Sequence, residues 1–168
     1  MLIVDRIPTN EDLEKVFPTE ERMRKGPVAI AECFQEIPCN PCTKACVKEA
    51  IRVEADINHT PKVDHEACNG CGACVLRCPG LAIFVVDKSY SETEALVKLP
   101  FEFFPVPQKG QFVKGLDRAG AEMGWFEVQN VISVGKTNKT NVISLIVPQE
   151  LALEVRNIQV GGYRDGRE

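Results

Sequence analysis

The sequence predicts an α+β fold: a short helical lead-in, a cysteine-bearing middle segment, and a small, mostly β C-terminal segment. Three observations predict it. Capping residues and breakers punctuate the first 27 positions. All 8 cysteines fall in the middle stretch, between Cys33 and Cys78, in two tight clusters. The cysteine-free remainder holds apolar runs separated by turn residues.

The lead-in covers residues 1–27. Thr9 or Asn10 is placed to cap a helix through Glu11–Val16, and Pro18 ends it. A second helix is expected over Glu20–Lys25, stopped by Gly26-Pro27.

The middle segment, residues 28–88, is an internal repeat. Cys39-x2-Cys42-x3-Cys46 maps onto Cys71-x2-Cys74-x3-Cys78 at one constant offset, and Ala50-Ile51-Arg52-Val53 then maps onto Ala82-Ile83-Phe84-Val85. Ile51, Val53, Ala55 and Ile57 alternate with polar residues, which predicts a half-buried strand. Leu81–Val86 reads as its counterpart.

Residues 89–160 carry the predicted strands Leu96–Leu99, Phe126–Val134 and Val142–Val147, with Gly135–Asn141 as the turn between the last two. Pro105, Pro107, Gly110 and Gly115 read as breaks. A short helix is expected over Gln149–Arg156, with Leu151, Val155 and Ile158 on one face. The tail, residues 161–168, is expected to be loose.

The 168 residues suffice for one ordinary domain or two small ones, and 44% apolar with 26% charged residues is a globular balance. A net charge of −4 argues against nucleic-acid binding, which needs a basic footprint. No apolar run approaches the roughly 18 residues of a membrane span. Met1-Leu2-Ile3-Val4-Asp5 lacks the basic start and apolar stretch of a secretory signal, so a cytoplasmic location is expected. Cysteines in that reducing compartment are more often metal ligands or catalytic groups than disulfides.

Cys68-Asn69-Gly70-Cys71-Gly72-Ala73-Cys74-Val75-Leu76-Arg77-Cys78-Pro79 has the spacing C-x2-C-x2-C-x3-C-P of bacterial iron–sulfur ligation. A cubane needs a thiolate on each iron, and two-residue gaps let one tightly wound loop aim three sulfurs at it. Gly70 and Gly72 suit such a loop, because glycine adopts positive φ without penalty. Structural zinc more often uses C-x2-C pairs separated by a longer loop. Disulfides form a further reading of the cysteines, and one intact cluster beside a degenerate site forms another.

Residues 28–88 therefore resemble a bacterial-type two-cluster ferredoxin. The resemblance implies two [4Fe–4S] clusters, with the last cysteine of each motif ligating the other cluster. Carried over, Cys46, Cys68, Cys71 and Cys74 hold one cluster, and Cys33, Cys39, Cys42 and Cys78 the other. The first motif departs from the pattern: Glu36 stands where a cysteine belongs, and Cys33 must serve through a stretched x5 gap. Val47 also replaces the proline after Cys46.

The run Glu32-Cys33-Phe34-Gln35-Glu36-Ile37-Pro38-Cys39-Asn40-Pro41-Cys42 is similar to the ferredoxin-like small subunit of multi-subunit, flavin-dependent amino-acid dehydrogenases of the proline, hydroxyproline, sarcosine and hydrogen-cyanide-synthase type. That implies FAD or FMN on partner flavoprotein subunits, not on this chain. Two rival readings are a free ferredoxin with extra domains and a non-redox regulatory or structural cluster module.

No nucleophile–base arrangement or phosphate loop is visible, so no catalytic site is assigned to the chain. His59 and His65 read as surface residues, and His65 could instead be a ligand or proton relay. Lys44, Lys48 and Arg77 either tune the clusters or are solvated side chains. Phe101, Phe103, Phe104 and Trp125 read as core, against the rival reading of a docking patch. The acidic chain, made more so by cluster thiolates, is expected to dock against a basic surface.

Overall fold

The computed structural model describes residues 7–166; the N-terminal pentapeptide Met1–Asp5 lies outside them. The architecture is mostly antiparallel sheet with a few short helices.

Helix α1 (Asn10–Glu14) begins at Thr9, whose hydroxyl accepts from the Asp12 amide while the Asp12 carboxylate accepts from the Thr9 amide. Helix α2 (Glu20–Lys25) is capped by Thr19 and stops at Gly26. Then come β1 (Val28–Ala31), α3 (Pro41–Ala45), β2 (Ile51–Arg52), β3 (Lys62–Val63), α4 (Ala73–Arg77) and β4 (Ile83–Asp87). The C-terminal half supplies β5 (Glu94–Phe101), β6 (Phe112–Leu116), β7 (Glu122–Ser133), β8 (Asn141–Pro148) and β9 (Asn157–Ile158).

One seven-stranded sheet runs in the order β1-β4-β5-β8-β7-β6-β9, and β2 pairs with β3 apart from it. The β4–β5 ladder, Val85 opposite Lys98 and Asp87 opposite Leu96, carries the sheet from the cysteine segment into the C-terminal half. Alternation does the burying. Ala95, Val97 and Leu99 of β5 face the same core as Ile143, Leu145 and Val147 of β8, with Met23, Val28 and Ile30 closing it from the N-terminal side. A second cluster, around Val75, Ile51, Ile83 and Val85, lies under the cysteine loops.

Several expectations need correction. The strand predicted over positions 51–57 ends at Arg52; Asp56 Oδ1 accepts from the Asn58 amide, an Asx turn that ends extended pairing. The helix predicted over Gln149–Arg156 is a single 3₁₀ turn, Gln149–Leu151, although Val155 and Ile158 are buried as expected. The Gln149 side chain instead donates to the carbonyls of Lys88, Ser91 and Glu94, pinning the β4–β5 turn. Phe101 is core, but Phe103 and Phe104 are 54% and 79% exposed, and Trp125 is half-buried. The start of the tail is held: Arg164 exchanges backbone hydrogen bonds with Phe112 and lies 4.0 Å over the Trp125 ring. Among the described residues no helix is long and apolar enough to cross a membrane.

Candidate iron–sulfur site

Helices α3 and α4 are the repeat made visible. Each carries the middle cysteine of its motif, Cys42 or Cys74, buried on its inner side. Each is followed by the last cysteine, Cys46 or Cys78, in extended conformation. The Ala50 amide then donates to Cys46 Sγ at 3.3 Å, and the Ala82 amide donates to Cys78 Sγ at 3.4 Å. Repeat-related alanines thus make the same contact with repeat-related sulfurs.

Cys68 Sγ accepts from the amides of Ala29 on β1 and Gly70, each at 3.4 Å. Amides aimed at sulfur favour the thiolate, and in iron–sulfur proteins they help set the potential. The loop takes the shape its glycines permit, with φ of +64° at Gly70 and +86° at Gly72. Gly70 is packed so closely on Pro27 that a Cβ would meet the Pro27 Cβ at 2.4 Å. The Lys98 ammonium of β5 donates to the Gly70 carbonyl at 3.0 Å.

The cysteines fall into two electrostatic neighbourhoods. Burial pushes the Cys74 thiol up to about 12, and the charges of Cys68, Cys71 and Cys46 push the same way. Burial pushes Cys42 up to about 11, with Cys78, Cys33 and Cys39 adding to it. Cys33 is raised by burial, then by Cys78 and Cys39. Cys46, Cys68, Cys71 and Cys74 also line one small cavity together with Ala29 and Ile51.

Cys33, Cys42 and Cys74 thus resist ionising where they stand. A coordinated cation reverses that preference, because a metal-bound thiol is deprotonated outright. The donor set therefore suits iron–sulfur ligation. Among the described residues no three His, Cys, Asp or Glu side chains form a group that could hold a single metal ion. A cubane asks for something wider, one thiolate on each of four irons.

Sequence reasoning missed the residues that brace these loops. Arg22 of α2 is buried, and its Nε donates to the His65 carbonyl and its Nη2 to the Cys68 carbonyl, both at 2.6 Å. Its only sequence signal is a methionine neighbour in an otherwise charged helix. Glu32, one residue before Cys33, accepts from Arg118 and Arg156. Burial pushes the Glu32 carboxyl up, but the Arg118 hydrogen bonds and the two guanidinium charges outweigh it and hold it below its ordinary value.

Of the remaining sequence candidates, His59 is exposed and His65 half-buried, with its Nε2 buried and without a hydrogen-bond partner among the described residues. Lys44, Lys48 and Arg77 are exposed.

Comparison with known proteins points to the same chemistry. The 4Fe-4S binding domain family (Fer4) matches residues 61–84. The ferredoxin-type protein NapF of Haemophilus influenzae is 41% identical over 61 residues, 35% of each chain. An uncharacterized ferredoxin of Methanocaldococcus jannaschii is 37% identical over 76 residues, 42% of this chain and 45% of that one. A subunit of an ion-translocating oxidoreductase complex of Methanosarcina acetivorans is 40% identical over 73 residues, 43% of this chain and 26% of that one. The chain thus spans less than half the length of these curated relatives. No solved structure matches. Motif, cysteine environment and relatives converge: the chain carries a ferredoxin-type 4Fe–4S binding domain.

Proposed function

We propose that the chain is an electron-transfer subunit holding two [4Fe–4S] clusters in a multi-subunit oxidoreductase. Cys46, Cys68, Cys71 and Cys74 ligate one cluster, and Cys33, Cys39, Cys42 and Cys78 ligate the other. The observation that carries this reading is the division of the cysteines into those two neighbourhoods, each mixing residues from both motifs. The matched amide contacts on Cys46 and Cys78 support it. When bound, each cluster accepts and releases one electron at a time. The protein holds the thiolates, aims amides at them and shields the buried pair Cys42 and Cys74 from water.

The partners in this reading are flavoprotein subunits carrying FAD or FMN. The stretched Cys33–Cys39 spacing and the run from Ile37 to Cys42 favour an amino-acid dehydrogenase of the proline type. The M. acetivorans relative, named as part of a complex, supports membership in an assembly. A free carrier is the second reading, favoured by the stand-alone name of the M. jannaschii relative.

Anaerobic purification with iron and sulfide assay tests the cluster claim: about eight irons per chain are expected, four for each cluster. A count near four would refute the two-cluster assignment. EPR of the dithionite-reduced protein is expected to show two interacting centres. Purification from the native host is expected to bring a flavoprotein with the chain; recovery of a lone monomer would favour the free carrier.

A further inference from the structure

Three stretches that meet on one face contain no acidic residue. They are residues 38–48, around α3; residues 70–84, around α4; and residues 134–141, the β7–β8 loop. They carry Lys44, Lys48, Arg77, Lys136 and Lys139, all exposed. The Asn138 side chain holds the loop against α4 by donating to the Leu76 carbonyl at 2.8 Å.

Between loop and helices lies an open cavity of about 1120 Å³. Lys44 and Arg77 stand in its wall, Leu76, Pro79 and Val134 give it apolar surface, and Cys78 lines it.

Many cations elsewhere on the molecule are paired, although exposed Arg52 and Lys109 make no ion pair among the described residues. Lys15, Arg24, Lys25, Lys62, Lys88 and Lys114 are each paired with a glutamate. Among the described residues Lys44, Lys48, Arg77, Lys136 and Lys139 make no ion pair. The acidic groups around the face are Glu36 and Glu49 beside the first stretch, and Glu102, which accepts from the Thr140 hydroxyl at the loop's base. A chain with net charge −4 has therefore placed two unpaired cations, Lys44 and Arg77, in the wall that holds Cys78, with Lys136 and Lys139 on the adjoining loop; Lys48 lines the small cavity of Cys46, Cys68, Cys71 and Cys74 instead.

We infer that the face formed by α3, α4 and the β7–β8 loop docks the acidic surface of a protein redox partner, with Cys78 at the point of electron exchange. This rests on Cys78 being a cluster ligand. Local charge overrides net charge here: at physiological salt, charges more than about 8 Å apart on the surface are largely screened, so the partner responds to the face it meets. Complementary charge raises the encounter rate, and the apolar floor excludes water once docked.

The test is anaerobic stopped-flow transfer from the reduced holo-protein to oxidised flavodoxin, an acidic FMN carrier, with cytochrome c, a basic haem carrier, as counter-probe. Each turnover moves one electron from the chain to the acceptor, and the flavin takes its proton from solvent. The flavodoxin rate is expected to fall as salt rises from about 0.01 M to about 1 M. Lys136→Glu with Lys139→Glu is expected to lower that rate roughly tenfold at low salt without slowing cytochrome c. Lys44→Glu with Arg77→Glu is expected to lower it similarly, with the iron count unchanged.

A flavodoxin rate that rises with salt, or is indifferent to the loop variants, overturns the inference. Inhibition by inorganic pyrophosphate beyond that of sodium chloride at equal ionic strength would assign the cavity to a small anion and also overturn it. A failure of the cluster reading shows earlier and separately, as missing iron or no reversible reduction before any acceptor is added.

Discussion

Glu32 and Arg156, 124 positions apart, form a buried ion pair with Oε1 and Nε 2.7 Å from each other. Their side chains are 7% and 3% exposed, and the guanidinium lies 4.9 Å over the Phe84 ring of β4. Arg118 joins the same carboxylate, so one acid holds two cations and ties the residue before Cys33 to the C-terminal segment. Burial disfavours the Arg156 charge, yet a guanidinium stays protonated wherever proteins fold.

Glu32→Gln is therefore expected to destabilise the protein by about 3–5 kcal/mol, because buried Arg156 loses its counter-charge and Arg118 keeps only the half-exposed Glu154. Denaturant unfolding under anaerobic conditions measures it. A loss under about 1 kcal/mol would show that the arginines find other partners.

Cys33→Ser is expected to halve the iron, from about eight to about four, and leave one EPR-active centre. Cys71→Ser is expected to damage the other centre. If Cys33→Ser keeps its full iron count, the stretched spacing carries no ligand.

Arg22→Lys is expected to release iron faster than the parent. An ammonium cannot span the carbonyls of His65 and Cys68 as the fork does. The lost charged hydrogen bonds are worth about 1.5–3 kcal/mol each. Chelator-driven bleaching of cluster absorbance gives the rate, and an unchanged rate would show that the cysteine loop holds itself.

Gly70→Ala is expected to impair cluster assembly more than Gly72→Ala. Both positions have positive φ, but only at Gly70 does a Cβ collide with Pro27; at Gly72 the nearest atom, on Lys98, is 3.8 Å away. Iron content of the two purified variants decides, and equal loss would trace the effect to backbone strain alone.

Stripping iron is expected to loosen residues 33–81 while leaving the long strands intact, since metal binding free energy is folding free energy for the loops that supply ligands. Hydrogen exchange on the apo-protein should show fast amides around α3 and α4 and protected ones in β5 and β8, whose inward residues are fully buried. Uniform exchange across the chain would mean that the sheet also depends on the clusters.

The sequence was most readable where a local rule governs. Thr9 and Gly26 bracket the lead-in helices because capping is a short-range contact. The strands β5 and β7 show alternating burial, β8 follows from a long apolar run, and the β7–β8 turn from its glycine and asparagines. β1 was illegible because its four residues are buried on both faces and show no period. β6 was hidden by Gly115, read as a breaker. The Phe126 ring fills the space beside that glycine, where a Cβ would lie 2.4 Å from the ring, so the residue serves packing rather than a turn. The braces Arg22, Arg118 and Arg156 were invisible because nothing near them in sequence names their partners. The second cysteine motif was legible from its spacing and lies within the family match, while the cationic face needed three distant segments brought together.

The contact between the Ala29 amide and Cys68 Sγ has a consequence for association. β1 is a terminal strand of the sheet, and such strands invite pairing with another chain. Here an outward amide of that strand is already taken by a sulfur of the cysteine loop, and the opposite border, β9, is only two residues long. The Val- and Ile-rich strands that would template aggregation lie in the interior of the order. Loss of that contact would free one outward amide of a border strand, so the cysteine loop also guards the edge of the sheet.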